Sequence, residues 1–220
     1  MGAALPPAPA LTVPRGFAAQ VYATGLKRPT ALAFGPDGLL YATQETGEVV
    51  AVGRGSAKPR VLARGFPTPL GLAWSGRTLF VSAQGEVSRL EVAGKRVVAR
   101  RRIVRGLPFG RHQQDSIVLG RDGRLYLGSG STCDVCRERD PRSAAILSFR
   151  PDGSGLRIVA RGLRNPFGLL VAPDGRLFVS DNGRDDLGPG EPAETLVVVR
   201  PGADVTVVSV SRMVVDECVT

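Results

Sequence analysis

A few residues of this chain have side chains and spacings suited to chemistry. His112 is the only histidine, and its ordinary pKa suits proton transfer near neutral pH. The other role open to it is a hydrogen-bonded structural one. Asp115, three residues on, either orients the imidazole or sits on a strand edge. Arg164-Asn165 in GLRNP pairs a planar guanidinium with an amide, a combination suited to a carboxylate or a quinone oxygen. Asp181-Asn-Gly-Arg-Asp-Asp186 gathers three carboxylates and an amide in a glycine-bearing loop. A hard cation such as Ca²⁺ suits that set, although the spacing is not an EF-hand; a hydrogen-bonded loop is the other reading.

Cys133 and Cys136 form a C-x₂-C. No second ligand pair is present for zinc, Arg137 stands where a c-type haem motif needs histidine, and the βαβ context of a redox dithiol is missing. A local disulfide stapling a long loop is the expectation, and with it an oxidising compartment. Cys218 is expected to be unpaired.

These residues sit in a repeat. Segments beginning at Gly25, Gly65, Gly106 and Gly162 each read as Gly-Leu or Gly-Phe, a variable loop, a short apolar strand, a turn and a second strand. The turns are Asp37-Gly38, Ser75-Gly76, Asp122-Gly123 and Asp174-Gly175. Asp-Gly between apolar runs marks a hairpin, because such turns need a residue with φ > 0. Third strands follow as GEVVAV, GEVSRLEV, AAILSF and ETLVVV; fourth strands follow as RVLAR, RVVARRRIV and LRIVAR.

Four antiparallel strands per unit of about 40 residues define a β-propeller blade. The expected fold is therefore all-β, with about four blades. A β-sandwich is the alternative, but it gives no reason for four similar units. Residues 1–13 read as an N-terminal extension, 14–204 as the propeller, and 205–220 as a tail that matches no repeat.

With strands lettered A to D from the inside out, the Asp-Gly turns are A–B turns on one face. The D–A loops (Lys27-Arg28-Pro29, Pro67-Thr68-Pro69, Arg111-His112-Gln113, Arg164-Asn165-Pro166) lie on the other. So do the long B–C loops, 128–143 and 181–193. All the chemically interesting residues therefore fall on one face, where variable loops on a rigid scaffold usually carry function.

The 220 residues carry 29 Lys and Arg against 20 Asp and Glu, a net charge of +9, and a mean hydropathy of +0.03. That is globular composition, with no apolar run near the ~20 residues of a membrane helix. The densest basic run, Lys95 to Arg105, alternates charge with Val and Ile, as a strand with one wet face does. Three Tyr and one Trp offer little stacking surface, so no nucleic-acid partner is expected. The N-terminus has neither the basic nor the apolar region of a signal peptide.

Together, GLPFGRHQQDSIVLGRDGRLYLGSGSTCDVC, GLRNPFGLLVAPDGRLFVSDNGRDDLG and ETLVVVRPGAD resemble the glucose/sorbosone dehydrogenase family, soluble PQQ-dependent sugar dehydrogenases on a six-bladed propeller. The STCDVC segment points to the sorbosone-like branch.

The resemblance implies a sugar substrate, PQQ and Ca²⁺ as cofactors, and a periplasmic or secreted location. It implies that His112 is the catalytic base and that Arg164 stabilises charge on the reduced quinone. Arg164, Asn165 and Thr132 would contact the cofactor. The loop at Gly183, Arg184 and Asp185 would hold calcium, partly through backbone carbonyls. This chain departs from glucose-oxidising members at Arg184, where they have proline, and at Phe167, where they have glutamine. It also lacks their Tyr-Gly-Trp-Pro-type loop after Asp204, so truncation and self-association through an open blade edge are expected. A calcium-dependent lactonase-like propeller and a non-catalytic binding propeller are the rival readings.

Overall fold

The computed structural model describes residues 5–8, 11–134, 136–183 and 194–199. These residues form an all-β propeller of four antiparallel sheets, and no helix occurs among them. The first blade comprises β1 (Pro29–Phe34), β2 (Leu40–Gln44), β3 (Glu48–Val52) and β4 (Arg60–Arg64). The second comprises β5 (Gly71–Ser75), β6 (Thr78–Ala83), β7 (Glu86–Ala93) and β8 (Arg96–Arg105). β9 (Gln114–Leu119), β10 (Leu125–Ser129), β11 (Ala145–Phe149) and β12 (Arg157–Arg161) make the third. The fourth has three described strands, β13 (Asn165–Val171), β14 (Leu177–Asn182) and β15 (Glu194–Val199). Every sheet keeps chain order, and the inner strands β1, β5, β9 and β13 lie beside one another in succession. The tail 205–220 lies outside the described residues.

The Asp-Gly turns have a common chemistry. Gly38 (φ 76), Gly123 (φ 74) and Gly175 (φ 86) take the left-handed conformation, whereas Asp37, Asp122 and Asp174 do not. In each, the glycine N–H returns to the carbonyl three residues back: Gly38 to Gly35, Gly123 to Gly120, Gly175 to Ala172. This is the three-residue hairpin loop with a glycine bulge. Each aspartate Oδ1 accepts the N–H two residues on, at 3.0–3.2 Å. In the first and third blades Oδ2 also accepts a tyrosine hydroxyl, Tyr41 at 2.9 Å and Tyr126 at 2.8 Å. In the fourth, Phe178 replaces the tyrosine and Asp174 binds Arg176 at 2.6 Å instead. Burial and the Asp37 bond push the Tyr41 phenol up to about 12.

Alternation along the strands builds cores between blades. Tyr41, Val49 and Ala51 meet Leu72, Leu79, Val81 and Leu90 between blades 1 and 2. Phe80 and Val87 meet Ile117, Leu125, Leu147 and Phe149 between blades 2 and 3. Tyr126, Ile146 and Leu163 meet Leu177, Val179, Val197 and Val199 between blades 3 and 4.

The end blades show apolar side chains outward. Ala31 and Ala33 of β1 face the core, so Leu32 (68% exposed) and Phe34 (59%) face away. Leu169 and Val171 of β13 face the core, and Leu170 is 64% exposed. Pro7, in the expected extension, bridges Gln20 of the propeller span, where Tyr22 and Thr24 bond to the loop at Gly55 and Ser56.

One strand departs from the sequence reading. The wet-face alternation over 95–105 does not hold. β8 is the outer strand of its blade, and its register against β7 shifts at Val87/Ser88 and Glu91/Val92. Residues 98–102 are therefore exposed on both faces, Val98 included.

Neighbouring blades touch backbone to backbone at glycines. A Cβ on Gly71 in β5 would overlap the Asp115 carbonyl and Ser82 Oγ; one on Gly128 in β10 would overlap the Pro166 carbonyl. Gly71→Ala is expected to destabilise the fold by about 2 kcal/mol or more, since neither strand can retreat without opening a core. Urea unfolding measures this, and an unchanged midpoint would show that the inner strands can part freely.

Candidate functional site

Three chain segments meet on the loop face and are stitched by backbone hydrogen bonds. Arg111 N donates to Thr132 O at 2.8 Å, His112 N to Ser131 O at 3.0 Å, and Gly130 N to Gln113 O at 2.8 Å. Ser131 N in turn donates to Arg164 O at 2.8 Å. The D–A loop of blade 3, the B–C loop of blade 3 and the D–A loop of blade 4 are thus locked together. Gly130 lies between them: a Cβ there would overlap the His112 Cβ and stand 3.0 Å from Asn165 Oδ1. The structure therefore brings His112, Thr132, Arg164 and Asn165 to one place.

His112 is half-buried, and its Nδ1 lies 2.8 Å from Ser131 Oγ. Ser131 Oγ donates its only proton to the Cys133 carbonyl at 2.6 Å. A hydroxyl that has spent its proton can only accept, so Nδ1 carries the N–H and Nε2 keeps its lone pair. Burial, then the positive charges of Arg164 and Arg111, hold the imidazole pKa below its usual value, which keeps the ring neutral at neutral pH. The sequence reading considered Asp115 as the orienting residue, and the structure gives that part to Ser131. Serine carries little signal in sequence; only its pairing with the 110–113 loop reveals it.

Asp115 is buried, its Oδ2 has no hydrogen-bond partner, and burial pushes its carboxyl up to about 7.

Arg164 is a clamp. Its guanidinium binds the Asp134 carboxylate and, at 3.2 Å, the Asp134 carbonyl; on the other side it binds the Asn182 carbonyl at 3.3 Å and the Gly183 carbonyl. It joins the B–C loops of blades 3 and 4. Asp181 accepts the N–H groups of Arg164 (3.0 Å) and Asn165 (2.8 Å), so this carboxylate fixes the D–A loop of blade 4. That geometry accounts for Asp181 without a cation. Burial raises its pKa, partly offset by the two N–H donors. Arg184, Asp185 and Asp186 lie outside the described residues.

Cys133 and Cys136 are joined in a disulfide across a Cα–Cα distance of 6.0 Å. Among the described residues, Cys133, Cys136 and Glu138 bring ligand-type atoms together, but the two sulfurs are already bonded to each other. Glu138 is instead a strut, accepting Thr132 N at 2.9 Å and Thr132 Oγ1 at 2.7 Å. Asn165 Oδ1 is buried and without a partner. A bound N–H or O–H would satisfy it, so the site fits a group that donates a hydrogen bond there.

The chain matches no family model. It is similar to an uncharacterized protein of Borreliella burgdorferi, 23% identical over 86% of this chain and 54% of that protein. Among solved structures, it resembles an oxidoreductase named as a glucose dehydrogenase from Thermus thermophilus, at 26% identity and TM-score 0.68, over 84% of this chain and 66% of the other. The PQQ-bound aldose sugar dehydrogenase of Streptomyces coelicolor is similar at 24% identity and TM-score 0.68, over 83% and 63%. The calcium structure of a Trichoderma reesei carbohydrate-active enzyme of family AA12 is similar at 19% and TM-score 0.72, over 86% and 56%. This chain thus spans about half of the Borreliella protein and under two thirds of the Streptomyces and Trichoderma chains. These likenesses show the propeller fold.

The lone histidine makes its tautomer directly readable by nitrogen-15 NMR. The wild type is expected to show the Nδ1–H form, and Ser131→Ala a shift toward Nε2–H; a wild type already in the Nε2–H form would refute the Ser131 relay. For Asp115, the raised pKa means stability is fullest below the ordinary 3.8 and is lost as pH rises through about 7. Asp115→Asn is expected to raise Tm by several degrees at pH 8, with the gain vanishing near pH 4. A gain independent of pH would overturn this account.

Proposed function

We propose that this chain binds PQQ beside a calcium ion and oxidises a sugar hydroxyl or aldehyde, as an aldose- or sorbosone-type dehydrogenase. The observation carrying this reading is the neutral, Ser131-held imidazole of His112, set against Arg164 and Asn165 with its Nε2 lone pair unspent. The likeness to the Thermus and Streptomyces structures supports it.

When bound, the quinone supplies the hydride acceptor and calcium polarises its carbonyl. Arg164 and Asn165 would hold the cofactor, with Arg164 answering negative charge as it develops, and Thr132 would join them on turning its hydroxyl away from Glu138. The Gly183 carbonyl, already oriented by Arg164, would face the cation, together with Arg184 and Asp185. His112 Nε2 takes the proton from the sugar hydroxyl, and its Nδ1–H stays on Ser131, so the ring does not turn as it charges. The lowered pKa keeps this base ready at and below neutral pH. The Cys133–Cys136 bond supports a periplasmic or extracellular setting.

A PQQ titration of the purified chain, with Ca²⁺ present and then chelated, followed by a sugar panel, tests the reading. His112→Ala is expected to cut dye-linked oxidation about 10²–10⁴-fold while leaving the quinone absorbance titration unchanged. Lactone hydrolysis insensitive to His112→Ala would favour the calcium-dependent lactonase. No quinone binding in the presence of Ca²⁺ would leave a binding propeller.

A further inference from the structure

An arginine-lined cavity of about 610 Å³ lies between blades 1 and 2, bordered by Gly65, Pro67, Glu86, Arg100, Arg101, Arg102 and Arg105. Gly65 and Pro67 belong to the loop joining β4 to β5, and Arg105 ends β8 just before the loop that leads to His112. The cavity therefore lies toward the loop end of the outer strand of blade 2 and shares no residue with the candidate site.

Its floor is built. The Arg100 guanidinium lies 3.9 Å from the centroid of the buried Phe66 ring. It also donates to the Arg64 carbonyl at 2.7 Å and the Gly65 carbonyl at 3.0 Å. Glu86, itself buried, answers Arg102 at 3.3 Å and stands 3.9 Å from Arg100. Two guanidiniums thus meet one carboxylate, and Arg101 and Arg105 complete the basic lining. Arg101 and Arg105 have no acidic partner among the described residues. The volume is that of a small-molecule site rather than a docking face. Guanidinium forks match carboxylate and phosphate oxygens two at a time.

We propose that this cavity is a binding site for a small multivalent oxyanion, a phosphate or polycarboxylate group held by Arg101 and Arg105 over the fixed floor of Arg100 and Glu86. It is independent of the reading given to His112.

Calorimetric titration with inorganic pyrophosphate and with citrate, at constant ionic strength, tests it. The wild type is expected to bind one or both tighter than about 1 mM, and the double variant Arg101→Gln/Arg105→Gln to lose about tenfold or more. Both residues are exposed on an outer strand, so the variant keeps its fold. Arg77→Gln/Arg121→Gln removes the same charge from turns on the opposite face and is expected to change affinity less than about twofold. Which probe binds reports whether phosphate or carboxylate is preferred. No binding by the wild type, or equal losses in the two double variants, would overturn the site and reduce the effect to overall charge.

Discussion

Backbone contact between adjacent blades governs this molecule. At Gly71 against the Asp115 carbonyl, and at Gly128 against the Pro166 carbonyl, the strands approach so closely that no side chain fits. Neighbouring inner strands then hold a fixed offset, and the loops that leave them are delivered to one another within hydrogen-bonding range. The stitching of 110–113 to 130–132, and of Ser131 to Arg164, follows from it. So does the burial of Asp115, whose carbonyl is the one facing Gly71 and accepting Ser82 Oγ. Its lone carboxyl is a cost of the same close approach.

Of the 29 basic residues 26 are arginine, and the structure gives several of them a local role. Arg124 reaches Ser148 Oγ at 2.8 Å, the Ser148 carbonyl at 3.1 Å and the Gly155 carbonyl at 2.6 Å, tying the C–D loop to the sheet. Arg142 spans Asp140 and the Gly106 carbonyl. Arg164 joins two loops through four acceptors. A planar group with five donors satisfies several loop carbonyls at once, where a lysine ammonium would act as a single point of charge. These three guanidiniums are therefore spent on loop acceptors.

The fold was legible because period and turn chemistry are local. Apolar alternation located the strands, including GEVSRLEV and LRIVAR, and the Asp-Gly steps located the hairpins with their glycines at positive φ. The face shared by His112, Thr132, Arg164 and Asn165 followed from strand order alone. Side-chain partnerships were not legible, because they join segments far apart in the chain. Nothing near His112 in sequence announces Ser131 as its partner. Asp181 read as a possible cation ligand but is bound to the N–H groups of Arg164 and Asn165. The Tyr41–Asp37 and Tyr126–Asp122 bonds had a visible signal, the same spacing in two repeats, which is absent where Phe178 takes the place.

Those tyrosine-fastened hairpins at 35–39 and 120–124 point away from the loop face. Each is closed by its own hydrogen bonds and makes no demand on the loops opposite. A peptide or tether grafted at either turn would fix the molecule to a solid support with His112 and the arginine cavity both turned to the solution. The architecture thus comes with an anchoring side and a reading side, a polarity useful to anyone fixing such a protein to a surface.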